Sequence, residues 1–173
     1  VDGALPYLMH SPGKKTTAYF TRLKADTVAN FTVDLGGVFP VNRLRMHSMD
    51  VSDTVPQANR ANFAFPQHLI LEGALQPDFA DARVLCEYVQ KSMYDVSSIV
   101  QRRFTELPCR YLRFSVPAAD FVDSAEIDTR VDLLGFAELE VFAGGRNVLL
   151  GRELSADFDD LSAHNTPVFL TDG

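Results

Sequence analysis

Residues 30–47 read Asn-Phe-Thr-Val-Asp-Leu-Gly-Gly-Val-Phe-Pro-Val-Asn-Arg-Leu-Arg-Met-His, and the way they alternate decides the fold. Phe31, Val33 and Leu35 alternate with Thr32 and Asp34, the period-two pattern of a strand with one buried face. Gly36-Gly37 interrupts the run, because residues without Cβ enter positive-φ backbone at little cost. Beyond Val38-Phe39-Pro40 a second alternation is expected, with Asn42, Leu44 and Met46 facing one way and Val41, Arg43 and Arg45 the other. Two successive strands of an antiparallel β-protein are the expectation.

The rest of the chain fits that class. Residues 1–18 read as loop, with Pro6 and Pro12-Gly13, and Tyr19-Phe20-Thr21 as a short strand. Ser48 to Asn62 is a long aperiodic loop closed by Phe63-Ala64-Phe65-Pro66. Strands are expected at 68–73, 83–89, 98–104 and 109–116, with a turn at Gln76-Pro77-Asp78. Asp120 to Asp132 reads as an acidic loop, and Gly135 to Phe142 as one closing strand. No segment sustains a 3.6-residue period, so many short strands between turn signals give an all-β sandwich or barrel.

Composition narrows the function classes. The 173 residues suit one domain with a sizeable core, 46% hydrophobic and 23% charged. A formal charge of −7 argues against nucleic acid, whose phosphates require a basic stripe. No apolar run approaches membrane-spanning length. Phe is abundant at 13 and Trp is absent, and the two cysteines, Cys86 and Cys109, fit either a disulfide or two buried thiols. Val1 stands where an initiating Met would, as expected of a piece of a longer protein.

Three stretches share a resemblance. Val33-Asp34-Leu35-Gly36-Gly37 with Pro40-Val41-Asn42-Arg43-Leu44 resembles the central strands of galactose-binding-like β-sandwich modules, the discoidin or coagulation-factor C-type family. Cys109-Arg110-Tyr111-Leu112-Arg113-Phe114-Ser115-Val116 and Gly135-Phe136-Ala137-Glu138-Leu139-Glu140-Val141-Phe142 resemble two later strands of that family, in the right order. The resemblance implies a jelly-roll antiparallel β-sandwich over roughly Asn30 to Ala143.

The ends are out of phase with that family. Its opening segment resembles Asn147 to Ala156, which follows the closing strand here, while Val1-Asp2-Gly3 and Leu170-Thr171-Asp172-Gly173 both resemble a loop that normally comes after the opening segment. Residues 1–146 are then a sandwich lacking its opening segment, and 147–173 supply it. They either complete the same domain as a permuted module or belong to the next repeat of an array.

For catalysis the sequence offers little. The four histidines, His10, His47, His68 and His164, form no His-x-x-x-His pair, and there is no Gly-x-Ser-x-Gly, P-loop or Gly-x-Gly-x-x-Gly. A non-enzyme is expected. The resemblance implies a structural calcium between an Asp-Gly loop and the Ala-Glu of the last strand. Asp2 (or Asp172 with the ends exchanged), the carbonyl of Ala137 and Glu138 match it, whereas Ala4 and Tyr7 replace two of the family's polar residues.

The resemblance also implies sugar binding by loops at one end of the sandwich, where a ring packs on pyranose C–H faces and polar side chains read hydroxyls. His47, Asn59, Arg60, Asn62 and Phe63 are the candidate ligand residues, with Tyr7 and Tyr94 on other loops. The expected function is a non-catalytic carbohydrate-binding or adhesion module, extracellular or in the cell envelope. It would hold a larger protein to polysaccharide or cell-surface glycan, with neighbouring modules of the same protein as further partners. A structural or protein–protein interaction module without a sugar site is the alternative.

Overall fold

The computed structural model describes residues 19–24, 27–48, 64–91, 99–122, 131–158 and 170–171. Ten strands and no α-helix occur among them. One sheet has three antiparallel strands in the order β1 (Tyr19–Lys24), β7 (Val131–Phe136), β6 (Asp120–Val122). The other runs β4 (Arg83–Val89), β3 (His68–Ala74), β5 (Ile99–Ala118), β2 (Ala29–His47), β8 (Glu138–Ala143), β9 (Arg146–Asn147). β10 (Ser155–Ala156) joins the free edge of β2 at Thr32 and Phe31.

The two alternations of 30–47 belong to one strand, not two. Gly36 does take positive φ (+72°), yet the strand continues past it with a register shift between Asp34 and Phe39. The expected strands at 98–104 and 109–116 are likewise parts of one strand, β5, whose pairing with β2 shifts between Tyr111 and Cys109 and again between Leu107 and Arg103. Extra residues on one partner, here β2, bend the pair without ending it. The first half of β2 thus pairs with the part of β5 that meets β3, and the second half pairs with β8.

A second correction concerns Val41. The register shifts again between Val41 and Arg43, leaving Asn42 as an extra residue against β8 and residues 104–106 as the longer side of the bulge on β5. Val41 therefore faces inward with Leu44 and Met46, all fully buried, while Arg43 and Arg45 face outward.

The closing segment also differs from expectation. It is two strands that break at Ala137, β7 in one sheet and β8 in the other. The N–H of Ala137 donates to the carbonyl of His47 (2.9 Å), which ties the crossover to the end of β2. The acidic stretch 120–132 is not all loop: its ends are β6 and the start of β7, and Asp132 is buried.

The core lies between the sheets. Phe31 sits at its centre, with Tyr19 edge-on at 5.6 Å and Phe158 edge-on at 5.3 Å. Phe65 contacts Tyr88 and Phe136 edge-on, both at 5.8 Å, so it anchors the chain that enters β3. Val148, Leu149, Leu154 and Leu170, from the end of the chain, are buried in the same cluster. Both cysteines are free thiols. Burial pushes Cys86 up to about 12 and Cys109 up to about 11, which keeps both protonated and unreactive at neutral pH.

Candidate functional site

At the far end of β2 the structure builds a polar cluster. Arg45 and His47 face Glu140 and Glu138 across the ladder, because odd positions of β2 point outward there. His47 Nε2 lies 2.9 Å from Glu140 Oε2, and Arg45 Nη1 donates to the same oxygen at 3.0 Å. Burial raises the Glu140 carboxyl, but the bonds and charges of His47 and Arg45 outweigh it and hold the group below its ordinary 4.5. His47 is 3% exposed. Of the candidate ligand residues it alone lies among the described ones; Asn59, Arg60, Asn62 and Phe63 lie outside them, as do Tyr7 and Tyr94.

Two of the three calcium candidates can be placed. Ala137 is the crossover residue between the sheets and Glu138 is a buried carboxylate beside it, so a carbonyl and a carboxylate stand together. Asp2 and Asp172 lie outside the described residues. Among the described residues no three His, Cys, Asp or Glu side chains cluster as a metal site. The present donors suit a hard cation in kind but fall short of the six to eight oxygens calcium takes.

A groove that the sequence reading passed over lies on the outer face of the large sheet. Its volume is about 490 Å³, and its walls include Thr32, Asp34, Phe79, Tyr111, Arg152 and Glu153. The floor comes from outward positions of two paired strands, with Asp34 opposite Tyr111 and Thr32 opposite Arg113. One wall is the turn after β3. There the Asp81 carboxylate accepts the N–H groups of Leu75 and Gln76 (3.1 Å each), and Phe79 is held at φ +59°, unusual for a residue with a side chain. The opposite wall is the segment before β10. Gly151 N–H donates to the carbonyl of Thr171 (2.7 Å), and Arg152 lies so close over Gly36 that a Cβ there would meet its Nη1 at 2.8 Å.

The charges around the groove are paired. Arg110 forks onto Asp34, and Arg113 Nε donates to Glu72 Oε2 at 2.7 Å. The same guanidiniums steady the rings: Arg113 lies 4.7 Å over Phe79, and Arg110 lies 5.1 Å over Tyr111. Arg152 and Glu153 add one charge of each sign. The result is an open cleft with two aromatic rings, hydroxyls and little net charge. The alternation of residues 30–35 and 109–116 was readable; that residues 75–81 and 151–155 would flank them was not, because those segments meet only in the fold.

Comparison with known proteins bears on the fold. No family model and no curated protein sequence matches the chain. Among solved structures, it is similar to CBM32-3, a carbohydrate-binding module from a family 31 glycoside hydrolase of Clostridium perfringens, at 16% identity. That match covers 76% of this chain and 78% of the other, with a TM-score of 0.50. A second Clostridium perfringens module, CpGH89CBM32-5 in complex with GalNAc-β-1,3-galactose, is 18% identical over 76% and 79% of the two chains, with a TM-score of 0.48. The chain has the antiparallel galactose-binding-like β-sandwich fold of these modules. Among the described residues no helix is long and apolar enough to cross a membrane.

Proposed function

We propose that the protein is a non-catalytic carbohydrate-binding module that holds a larger extracellular or cell-envelope protein to polysaccharide or cell-surface glycan. The observation that carries this reading is the groove. Tyr111 and Phe79 offer ring surface, Thr32, Ser155 and Asp34 offer hydrogen-bonding oxygens, and the cleft has room for one or two sugar rings. Because Asp34 is already paired with Arg110 and Glu72 with Arg113, and Arg152 and Glu153 carry opposite signs, the groove suits a neutral glycan better than a charged one. The sandwich fold shared with CBM32-3 supports the reading at the level of architecture.

The segment between β2 and β3 that holds Asn59, Arg60, Asn62 and Phe63 is the second contact surface we propose, and Asp2 or Asp172 with Ala137 and Glu138 the place for a structural calcium. A glycan array on the purified chain tests the function, and variants divide the surfaces. Loss of binding in Tyr111→Ala alone assigns the groove; loss in Arg60→Ala and Phe63→Ala assigns that segment. Silence across the array favours a structural or protein-interaction module.

A further inference from the structure

The outer face of the sheet carries a second feature, away from the groove and made of unneutralised charge. Three rows cross it where β5, β2 and β8 lie side by side. In the rows of Arg45 and His47 each residue has a carboxylate as its register partner on β8, Glu140 and Glu138. In the row of Arg43 the register partner on β8 is Phe142, and the partner on β5 is Arg103. Two arginines are therefore direct cross-strand neighbours, an arrangement that costs stability unless something negative lies between them.

Among the described residues no carboxylate forms an ion pair with either of them. Neither Arg43 nor Arg103 takes part in a salt bridge, whereas Arg45, Arg110 and Arg113 each hold a carboxylate. Arg43 Nε is shut off from solvent and makes no hydrogen bond, an unsatisfied charged donor of the kind that proteins rarely leave. The Arg43 guanidinium is stacked on Phe142 at 3.9 Å, which fixes its plane. The extra residue Asn42 brings an amide to the same spot. Asn42, Arg43, Arg103, Phe104 and Gly144 together line a pocket of about 280 Å³. The protein as a whole carries −7, so this pair runs against its general charge.

We propose that Arg43 and Arg103, with Asn42, form a binding site for an oxyanion carried on a glycan, a sulfate ester or a uronic acid carboxylate. The two Nη groups at the end of a guanidinium match both groups in geometry, and the bound anion removes the repulsion between the two arginines. That the carrier is a glycan rests on the function proposed above; the oxyanion site itself does not. The site would select acidic chains, while the groove receives neutral rings.

The test uses the intact chain and two single variants, Arg103→Gln at the site and Arg102→Gln on the neighbouring position of β5. Thermal melting in millimolar sodium sulfate, against sodium chloride of equal ionic strength, reads the site without any glycan. Sulfate is expected to raise the midpoint of the wild type and of Arg102→Gln but not of Arg103→Gln. Affinity electrophoresis through dextran sulfate, polygalacturonate and neutral dextran reads the carrier. Arg103→Gln is expected to weaken retardation by at least one acidic polymer about tenfold, with no change in neutral dextran. Which acidic polymer responds distinguishes sulfate from carboxylate. An equal loss in Arg102→Gln, or equal behaviour of wild type and Arg103→Gln in sulfate, overturns the site. A sulfate response without retardation in either acidic polymer overturns the glycan as carrier. Loss of neutral-sugar binding in Tyr111→Ala with the sulfate response intact would show the two sites to be separate.

Discussion

Arg110 and Asp34 meet through two parallel hydrogen bonds, Nε to Oδ1 at 3.0 Å and Nη2 to Oδ2 at 2.9 Å. They join the two long strands at the place where both shift register. Asp34 also accepts the N–H of Gly36 at 2.7 Å, so one carboxylate secures the bend of β2 and fastens it to β5. The Arg110 guanidinium, and then the Gly36 amide, hold the Asp34 carboxyl below its ordinary 3.8. A carboxyl with a lowered folded-state pKa stabilises the protein above its unfolded value and loses that contribution as pH falls through the lowered one. Glu140 acts in the same sense, from an ordinary 4.5. Melting midpoints should therefore be level near neutrality and fall below about pH 4. Asp34→Asn should flatten part of that fall and lower the neutral midpoint slightly, since the pair is exposed. A wild-type midpoint that rises on acidification would contradict this.

Gly73 on β3 packs directly against the side chains of Cys109 and Leu85. A Cβ there would overlap Cys109 Sγ and stand 3.0 Å from Leu85 Cδ1. Gly73→Ala should cost roughly 1–3 kcal/mol by overpacking. Adding Cys109→Ala should recover part of it, because the thiol is the nearest obstacle. Urea titration of the single and double variants measures both, and an additive double variant would remove the clash as the cause.

Phe158 and Leu149 link the end of the chain to the centre. Phe158 packs edge-on against Phe31, Leu149 is fully buried, and Asp157 N–H donates to the carbonyl of Asn30 at 2.9 Å. We propose that residues 147–173 complete the same domain. Leu149→Ala should then cost about 2–5 kcal/mol, and light scattering should give a monomer. A stable dimer that exchanges subunits on mild denaturation would instead indicate that the segment passes between chains.

The calcium proposal has a direct check. If Glu138 and the Ala137 carbonyl share an ion with Asp2 or Asp172, chelation should lower the melting midpoint and added calcium restore it. Glu138→Gln should abolish the response. An unchanged midpoint after chelation removes the ion from the account.

Much of the architecture was legible because burial imposes a period. Phe31, Val33 and Leu35 are all inward, as their alternation indicates, and so are Leu112, Phe114 and Val116. What the period could not show was where it slips. Asn42 adds one residue and turns Val41 to the core, and Ala137 passes the chain from one sheet to the other; each depends on partners distant in sequence. The site was less legible for the same reason. Tyr111 and Asp34 become neighbours only through the register of β2 on β5, and Phe79 and Arg152 arrive from turns on opposite sides.

Carbohydrate recognition is tested most directly by the affinity of the purified chain for the best neutral ligand from a glycan array, measured by calorimetry for wild type, Tyr111→Ala and Phe79→Ala. The groove account predicts measurable binding by the wild type and a loss of about tenfold or more in Tyr111→Ala, with its melting midpoint close to the wild type's. Wild-type binding that both ring variants retain in full would contradict it.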